Sequence, residues 1–349
     1  MNTNLKNEPN IEAILRHLEL QGTLEQARSF LREHNLPFSA GSWEEMRNKR
    51  IKPAIQSNSI TISDLLGLLA EVEEHGSQHV FLYSLAQNQS ITHLFDHSAL
   101  QKLLSSEEKF PLLNEQSFVD MPSTPRISEV RQEMHGDIRC LVFKIVERRF
   151  LRENSEEHYE TGKIVITFEE TPYRAVNIVR IWESGFCEVR IHSHQEALSY
   201  GGEAQGVLRS LEPLFTQFTW REYDLANARN GLFDPQRRDE NKLLFSLKNA
   251  NHRNNVGSKL AVSTVRTEAS IYDDDSTVAS LDTFHLNKDA SGAYCDRVNI
   301  AVRAAASNGL LARDINLIMH GENNEFTLTS RITRSEYEYT LSLIQSQNV

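Results

Sequence analysis

The period of the apolar pattern changes once along this chain, and that change limits what it can fold into more than any other feature. From about residue 10 to residue 110, apolar side chains recur at helical spacing; from residue 138 onward they alternate. Asn10 stands ahead of Ile11, Ile14, Leu15 and Leu18, a stripe it can cap and Gly22 can end. Thr23, with Gln26 three residues on, has the capping-box arrangement before Leu24, Ala27, Phe30 and Leu31, and Pro37 closes that segment. A third segment runs from Ser42 through Trp43, Met46 and Ile51 to Pro53. A fourth starts at Ser63 and carries Leu65, Leu66, Leu68, Leu69 and Val72, and after Gly76 comes the apolar run Val80 to Leu85. The pattern predicts five or six short helices in a bundle over residues 1–104.

Residues 105–137 are polar, contain prolines and show no period, so they read as a linker. Beyond them, strands are predicted at Ile138–Ile145, Lys163–Phe168, Arg174–Trp182 and Phe186–His192, the last two joined by the hairpin turn Glu183-Ser184-Gly185. Gln195 to Phe215 reads as helical, interrupted at Gly201-Gly202. Further strands are expected at Leu243–Leu247, Lys259–Arg266, Arg297–Ala301, Ile315–Met319 and Phe326–Ile332, and a helix over Ser335–Gln345. Strands grouped with few helices between them predict an α+β domain over 138–349 with a mostly antiparallel sheet, not a doubly wound fold.

Of 349 residues, 24% are charged and 39% hydrophobic, ordinary for a soluble globular protein. Lys+Arg 37 against Asp+Glu 48 gives a net charge of -11, which argues against a surface that is basic throughout but leaves room for a local basic patch. There is no apolar run of the roughly 18 residues a membrane span needs, so no membrane partner is expected. Residues 1–8 lack the pattern of a signal peptide, and Cys140, Cys187 and Cys295 form no CxxC pair. Both features suit a cytoplasmic or nuclear protein that is not secreted.

Walker, GxGxxG, GxSxG and HExxH motifs are all missing, so no catalytic residue and no cofactor is predicted and an enzyme is the less favoured class. Three clusters retain chemical interest. Glu71, His75 and His79 stand at steps of four, which on one helix would share a face and could share a zinc ion; a polar helix face is the plainer reading, and no metal ligand is assigned. His192 and His194 alternate on a strand end, with Cys187 and His135 as conceivable neighbours. Asp273, Asp274 and Asp275, followed by Asp282, could supply hard oxygen ligands for Mg²⁺, or form a solvated acidic loop.

Basic residues gather in three groups: Arg47, Lys49, Arg50 and Lys52; Arg148, Arg149 and Arg152; and Arg237, Arg238 and Lys242. Such groups can neutralise phosphates without reading bases, unless Glu44, Glu45, Glu147 and Glu153 pair with them as ordinary surface neighbours.

Several of these stretches resemble the centromere protein N (Chl4-type) family. Phe30-Leu31-Arg32-Glu33-His34-Asn35-Leu36 is similar to that family's short helix end, Met46-Arg47-Asn48-Lys49-Arg50 to its basic stretch, and Ile62-Ser63-Asp64 to the start of its Leu-rich helix. Gln78-His79-Val80 to Leu85 resembles the segment that follows, and Lys163 to Tyr173 the family's strand running into a Thr-Pro-Tyr turn. The resemblance implies a death-fold-like helical domain joined to an α+β domain, with a basic groove between them that binds DNA in a nucleoprotein. It carries Arg47, Lys49, Arg50 and Lys52 over as backbone contacts, with Arg174 and Arg180 lining the same groove. Few basic residues lie near the first helix (Lys6 and Arg16), where the family is richer.

The leading expectation is therefore a non-enzymatic protein that engages DNA or a nucleoprotein. The alternative is a protein–protein adaptor or sensor subunit of a larger assembly, including a prokaryotic antiphage system, whose sheet edge pairs with a partner or a second copy. A metal-dependent nuclease or hydrolase is third.

Overall fold

A computed structural model of the chain describes residues 10–115, 117–194, 199–212, 214–215, 217–266, 268–286, 292–321 and 324–348. The fold is α+β, with a helical N-terminal region and extensive antiparallel sheet. It forms two compact units, each built from several stretches of chain: residues 1–76, 93–178 and 192–198 in one, and residues 77–92, 179–191 and 199–349 in the other.

The first unit opens with α1 (Ile11–Gln21), capped by Asn10, and α2 (Leu24–Glu33), whose Thr23–Gln26 capping box is complete. α3 (Trp43–Glu45) runs into a π-helical turn, Met46–Ile51, and then α4 (Lys52–Gln56). The wider π winding lets Met46 and Ile51, five residues apart, both face inward, and both are fully buried. α5 (Ile62–Glu74) starts one residue earlier than the Ser63 expected, because Thr61 caps it in a box with Asp64. Ile14, Leu18, Leu31, Met46, Leu65 and Leu69 lie at the centre of this bundle's core. α6 (His97–Ser105) follows a short 3-10 turn.

Part of the expected linker is a strand. β2 (Arg126–His135) pairs antiparallel with β3 (Ile138–Glu160) from Arg126↔Val146 to His135↔Ile138. Its sequence hides this because ions stand where apolar residues would. Arg131 pairs with Glu74 (2.5 Å), Glu129 (3.3 Å) and Glu133 (2.5 Å), and Lys144 reaches Glu73 (3.2 Å) and Glu74 (3.3 Å). β4 (Lys163–Trp182) is likewise one long strand: the Thr171-Pro172-Tyr173 turn implied by the resemblance is extended backbone, with Pro172 exposed. The chain passes from the first unit to the second along β4, after Ile178.

In the second unit the strand order is the end of β4, then β5-β1-β11-β10-β9-β7-β8, with β6 also on β1. These are β1 (Gln78–Leu85), β5 (Phe186–His192), β6 (Trp220–Glu222), β7 (Phe245–Arg253), β8 (Lys259–Ser263), β9 (Tyr294–Val302), β10 (Ile315–Met319) and β11 (Glu325–Leu328). β1 corrects the helical reading of Val80 to Leu85. It is a central strand buried on both faces, so its apolar run does not alternate, and a continuous run of this length cannot be told from a helix by period. The predicted hairpin between β4 and β5 is present, with Gly185 at φ +87. Of the helix expected over Gln195–Phe215, residues 195–198 lie outside the described residues; α7 (Tyr200–Ser210) runs unbroken through Gly201-Gly202 and stops short of Phe215. The helix predicted near the end of the chain spans Arg334–Gln347.

Candidate functional site

Arg47, Lys49, Arg50 and Lys52 lie on the surface of the first unit, around the π-helical turn. Each has a protein partner. Arg47 pairs with Glu19 (3.2 Å), Lys49 with Glu45 (3.2 Å) and Lys52 with Glu12 (2.6 Å), while Arg50 donates to the Ser39 carbonyl (2.7 Å). Lys49, 67% exposed, is the most open of the three lysine and arginine side chains in ion pairs here. The Lys52 ammonium holds the Glu12 carboxyl below its usual range through their hydrogen bond, as the Gly41 amide and then Lys49 do for Glu45.

Arg174 and Arg180 are not groove residues. Arg174 is 2% exposed, pairs with Glu73 and donates Nε to the Val119 carbonyl (2.8 Å). Burial opposes charge on Glu73 and Glu74, yet the surrounding cations prevail. Arg174 and Lys144 lower Glu73, and Arg131 and Lys144 hold Glu74 down at about 2. Arg180, 3% exposed, lies within the second unit between Glu188 (3.1 Å) and Glu338 (2.7 Å). Arg190 also pairs with Glu188, and its guanidinium stands 3.7 Å over the Tyr337 ring, whose hydroxyl donates to Glu188 (2.8 Å). Their alternation along a strand cannot distinguish such interior cations from surface ones.

The acidic run does not converge either. Asp274 caps the helix Asp275–His285, accepting from the Ser276 and Thr277 amides; Asp273 closes a capping box with Ser270; Asp282 pairs with Arg238 (2.5 Å). His192 offers its backbone amide to Asn177 (3.0 Å) and its ring edge-on to Tyr173, while His135 pairs with Glu133 (3.2 Å).

His75 and His79 are not on one helix, since α5 ends at Glu74 and His79 belongs to β1. His79 instead meets residues about 240 positions away. Its Nδ1 is 2.6 Å from Glu325 Oε1, and His320 Nε2 is 3.9 Å from the same oxygen. Among the described residues this is the one His/Cys/Asp/Glu group close enough to share a metal ion, its ligand atoms lying within 4.8 Å of one another. Nothing local in sequence marks it: only the register Phe81↔Glu325 and His79↔Thr327 brings the residues together.

The outer part of β3 and β4 is exposed along most of its length. Beyond Val146, no strand among the described residues pairs with the edge of β3 away from β4. Residues 149–160 of that edge, about 40 Å of extended chain, end in a turn at Thr161 and Gly162, both at positive φ. Tyr159 (80%), Ile164 (51%), Ile166 and Phe168 (53%) are exposed on this arm. Arg148, Arg149 and Arg152 stand at its base and Glu156, Glu157 and Glu160 towards its tip; Arg149 pairs with Glu147 and Arg152 with Glu170.

Compared with known proteins, the chain matches no family model and no curated protein sequence.

Proposed function

We propose that this chain is a non-catalytic assembly protein that joins a second copy of itself by antiparallel pairing of the outer β3 edges. The observation that carries the reading is an exposed strand edge with which no strand among the described residues pairs, and whose sequence complements itself when reversed. Such an edge is a template for another strand, and proteins usually shorten or cover it. The Arg148 amide donates to the Pro122 carbonyl (2.9 Å), away from β4, so even-numbered residues of the arm direct their amides outward. Two copies must therefore pair even residue with even residue. Centred on Asn154, that register sets Arg152 opposite Glu156, Phe150 opposite His158 and Arg149 opposite Tyr159, with Arg148, held by Pro122, just outside the pairing. No like charges meet, and opposite-charge and aromatic pairs across strands each contribute roughly 0.2–1 kcal/mol.

Light scattering on a sizing column tests this. The expected result is a dimer that Arg152→Glu weakens, by setting Glu opposite Glu156, and that Arg152→Glu combined with Glu156→Arg restores. Asn154→Pro removes an outward amide and should leave a folded monomer. A wild-type monomer at high concentration, or a dimer indifferent to all three variants, refutes the reading.

Engagement of DNA through Arg47, Lys49, Arg50 and Lys52 is the second reading, favoured by their clustering at an exposed π-helical turn. Arg174 and Arg180 do not take part in it. Because Arg47, Lys49 and Lys52 are already paired with carboxylates, their contact with phosphate has to displace those groups, so weak, steeply salt-dependent binding is expected. Anisotropy of a labelled duplex at two salt concentrations checks this, and Lys49→Glu with Arg50→Glu should weaken it about equally on every sequence. No binding at low salt removes this reading and leaves the first intact.

A further inference from the structure

We propose that His79, His320 and Glu325 bind a divalent transition-metal ion, with zinc the best match to their chemistry. The three come from different elements of the second unit. His79 lies on β1, Glu325 opens β11, and His320 directly follows β10, its amide bonded to the Glu325 carbonyl (3.2 Å). Pairing of β1 and β10 with β11 on either side fixes all three backbones, so the donors are held by sheet.

The donors are two imidazole nitrogens and one carboxylate oxygen, the set that holds catalytic zinc with a fourth position open. The same set also suits iron(II), so the donors do not select zinc alone. A tetrahedral ion with bonds of about 2.0–2.1 Å keeps its ligand atoms roughly 3.3 Å apart. The two His–Glu325 separations, 2.6 Å for His79 and 3.9 Å for His320, bracket that value, and all three donors lie within 4.8 Å of one another. Small side-chain rotations therefore seat an ion without moving the sheet.

The surroundings fit as well. The His79 ring stacks on Tyr200 with centroids 3.5 Å apart and planes at 13°, which fixes its orientation. The Glu325 carboxylate is 8% exposed and His320 23%, so the group is sheltered yet reachable from solvent. The Thr327 hydroxyl lies 2.8 Å from His320 Nε2 and 3.1 Å from His79 Nδ1. Once an ion takes those nitrogens, that hydroxyl is positioned to hydrogen-bond a water in the open position.

Chelator-treated full-length protein titrated with Co²⁺ gives the readout. The expected result is a visible d–d absorption that saturates at one ion per chain, is displaced by Zn²⁺, and is lost in Glu325→Gln and in His320→Gln. To keep the test independent of how those variants fold, wild-type protein is modified with diethyl pyrocarbonate with and without Zn²⁺ and mapped by peptide mass spectrometry. Zn²⁺ should protect His79 and His320. No saturating absorption, absorption unchanged in folded variants, or unprotected His79 and His320 each overturn the proposal, leaving a His79–Glu325 hydrogen bond as the whole role of the group.

Discussion

Glu73 and Glu74 end α5 as two adjacent carboxylates buried among Arg131, Lys144 and Arg174. A carboxyl held near 2 when folded, against about 4.5 when unfolded, binds fewer protons in the native state across that interval. Stability from Glu74 is therefore fully present above about pH 4.5 and is lost as pH falls through about 2. His252 acts in the same direction at higher pH. Burial, and then His285, push its pKa down to about 3, so it folds neutral, and the unfolded chain gains a proton below about 6.5. Glu74→Gln should cost at most about 3–5 kcal/mol at pH 7, because it takes one carboxylate from buried Arg131 and Lys144, which keep Glu129, Glu133 and Glu73. That deficit should shrink between pH 4.5 and 2, as read from urea midpoints of both proteins. A pH-independent deficit would show that Glu74 contributes packing and not charge.

At the scale of elements, what the sequence made legible follows the length scale of the interactions involved. Asn10 and the Thr23–Gln26 box act within one turn, and both helix starts were readable from those residues. The Glu183-Ser184-Gly185 hairpin was equally local. β1 was misread because Val80 to Leu82 is buried on both faces and carries no period, and β2 because Glu129, Arg131 and Glu133 satisfy it with charge instead of apolar contact. The basic cluster at 47–52 was visible as composition, but its carboxylate partners Glu12 and Glu19 lie more than 25 residues away. The His79–His320–Glu325 group was out of reach altogether, since it exists only in the strand register. Of the arm, Lys163–Phe168 reads as strand in the sequence, but residues 146–160 of β3 and the passage of β4 through Thr171-Pro172-Tyr173 do not.

For the whole molecule, the decisive fact is that the second unit takes β1 from the first hundred residues. A boundary at 138 therefore does not isolate a folding unit. The fragment 138–349 should lack cooperative urea unfolding, because β1 stands between β5 and β11 and also carries β6. A sharp transition with native far-UV circular dichroism from that fragment would contradict this. The same position of β1 has a consequence during biosynthesis. One edge of the strand must wait for β5, about 100 residues later, and the other for β11, about 240 residues later. At about 5–20 residues per second a ribosome needs roughly 12–50 s to cover that second interval. Throughout it, Val80-Phe81-Leu82-Tyr83 is an apolar segment on a nascent chain without its β11 partner, open to mispairing until residue 325 has been made.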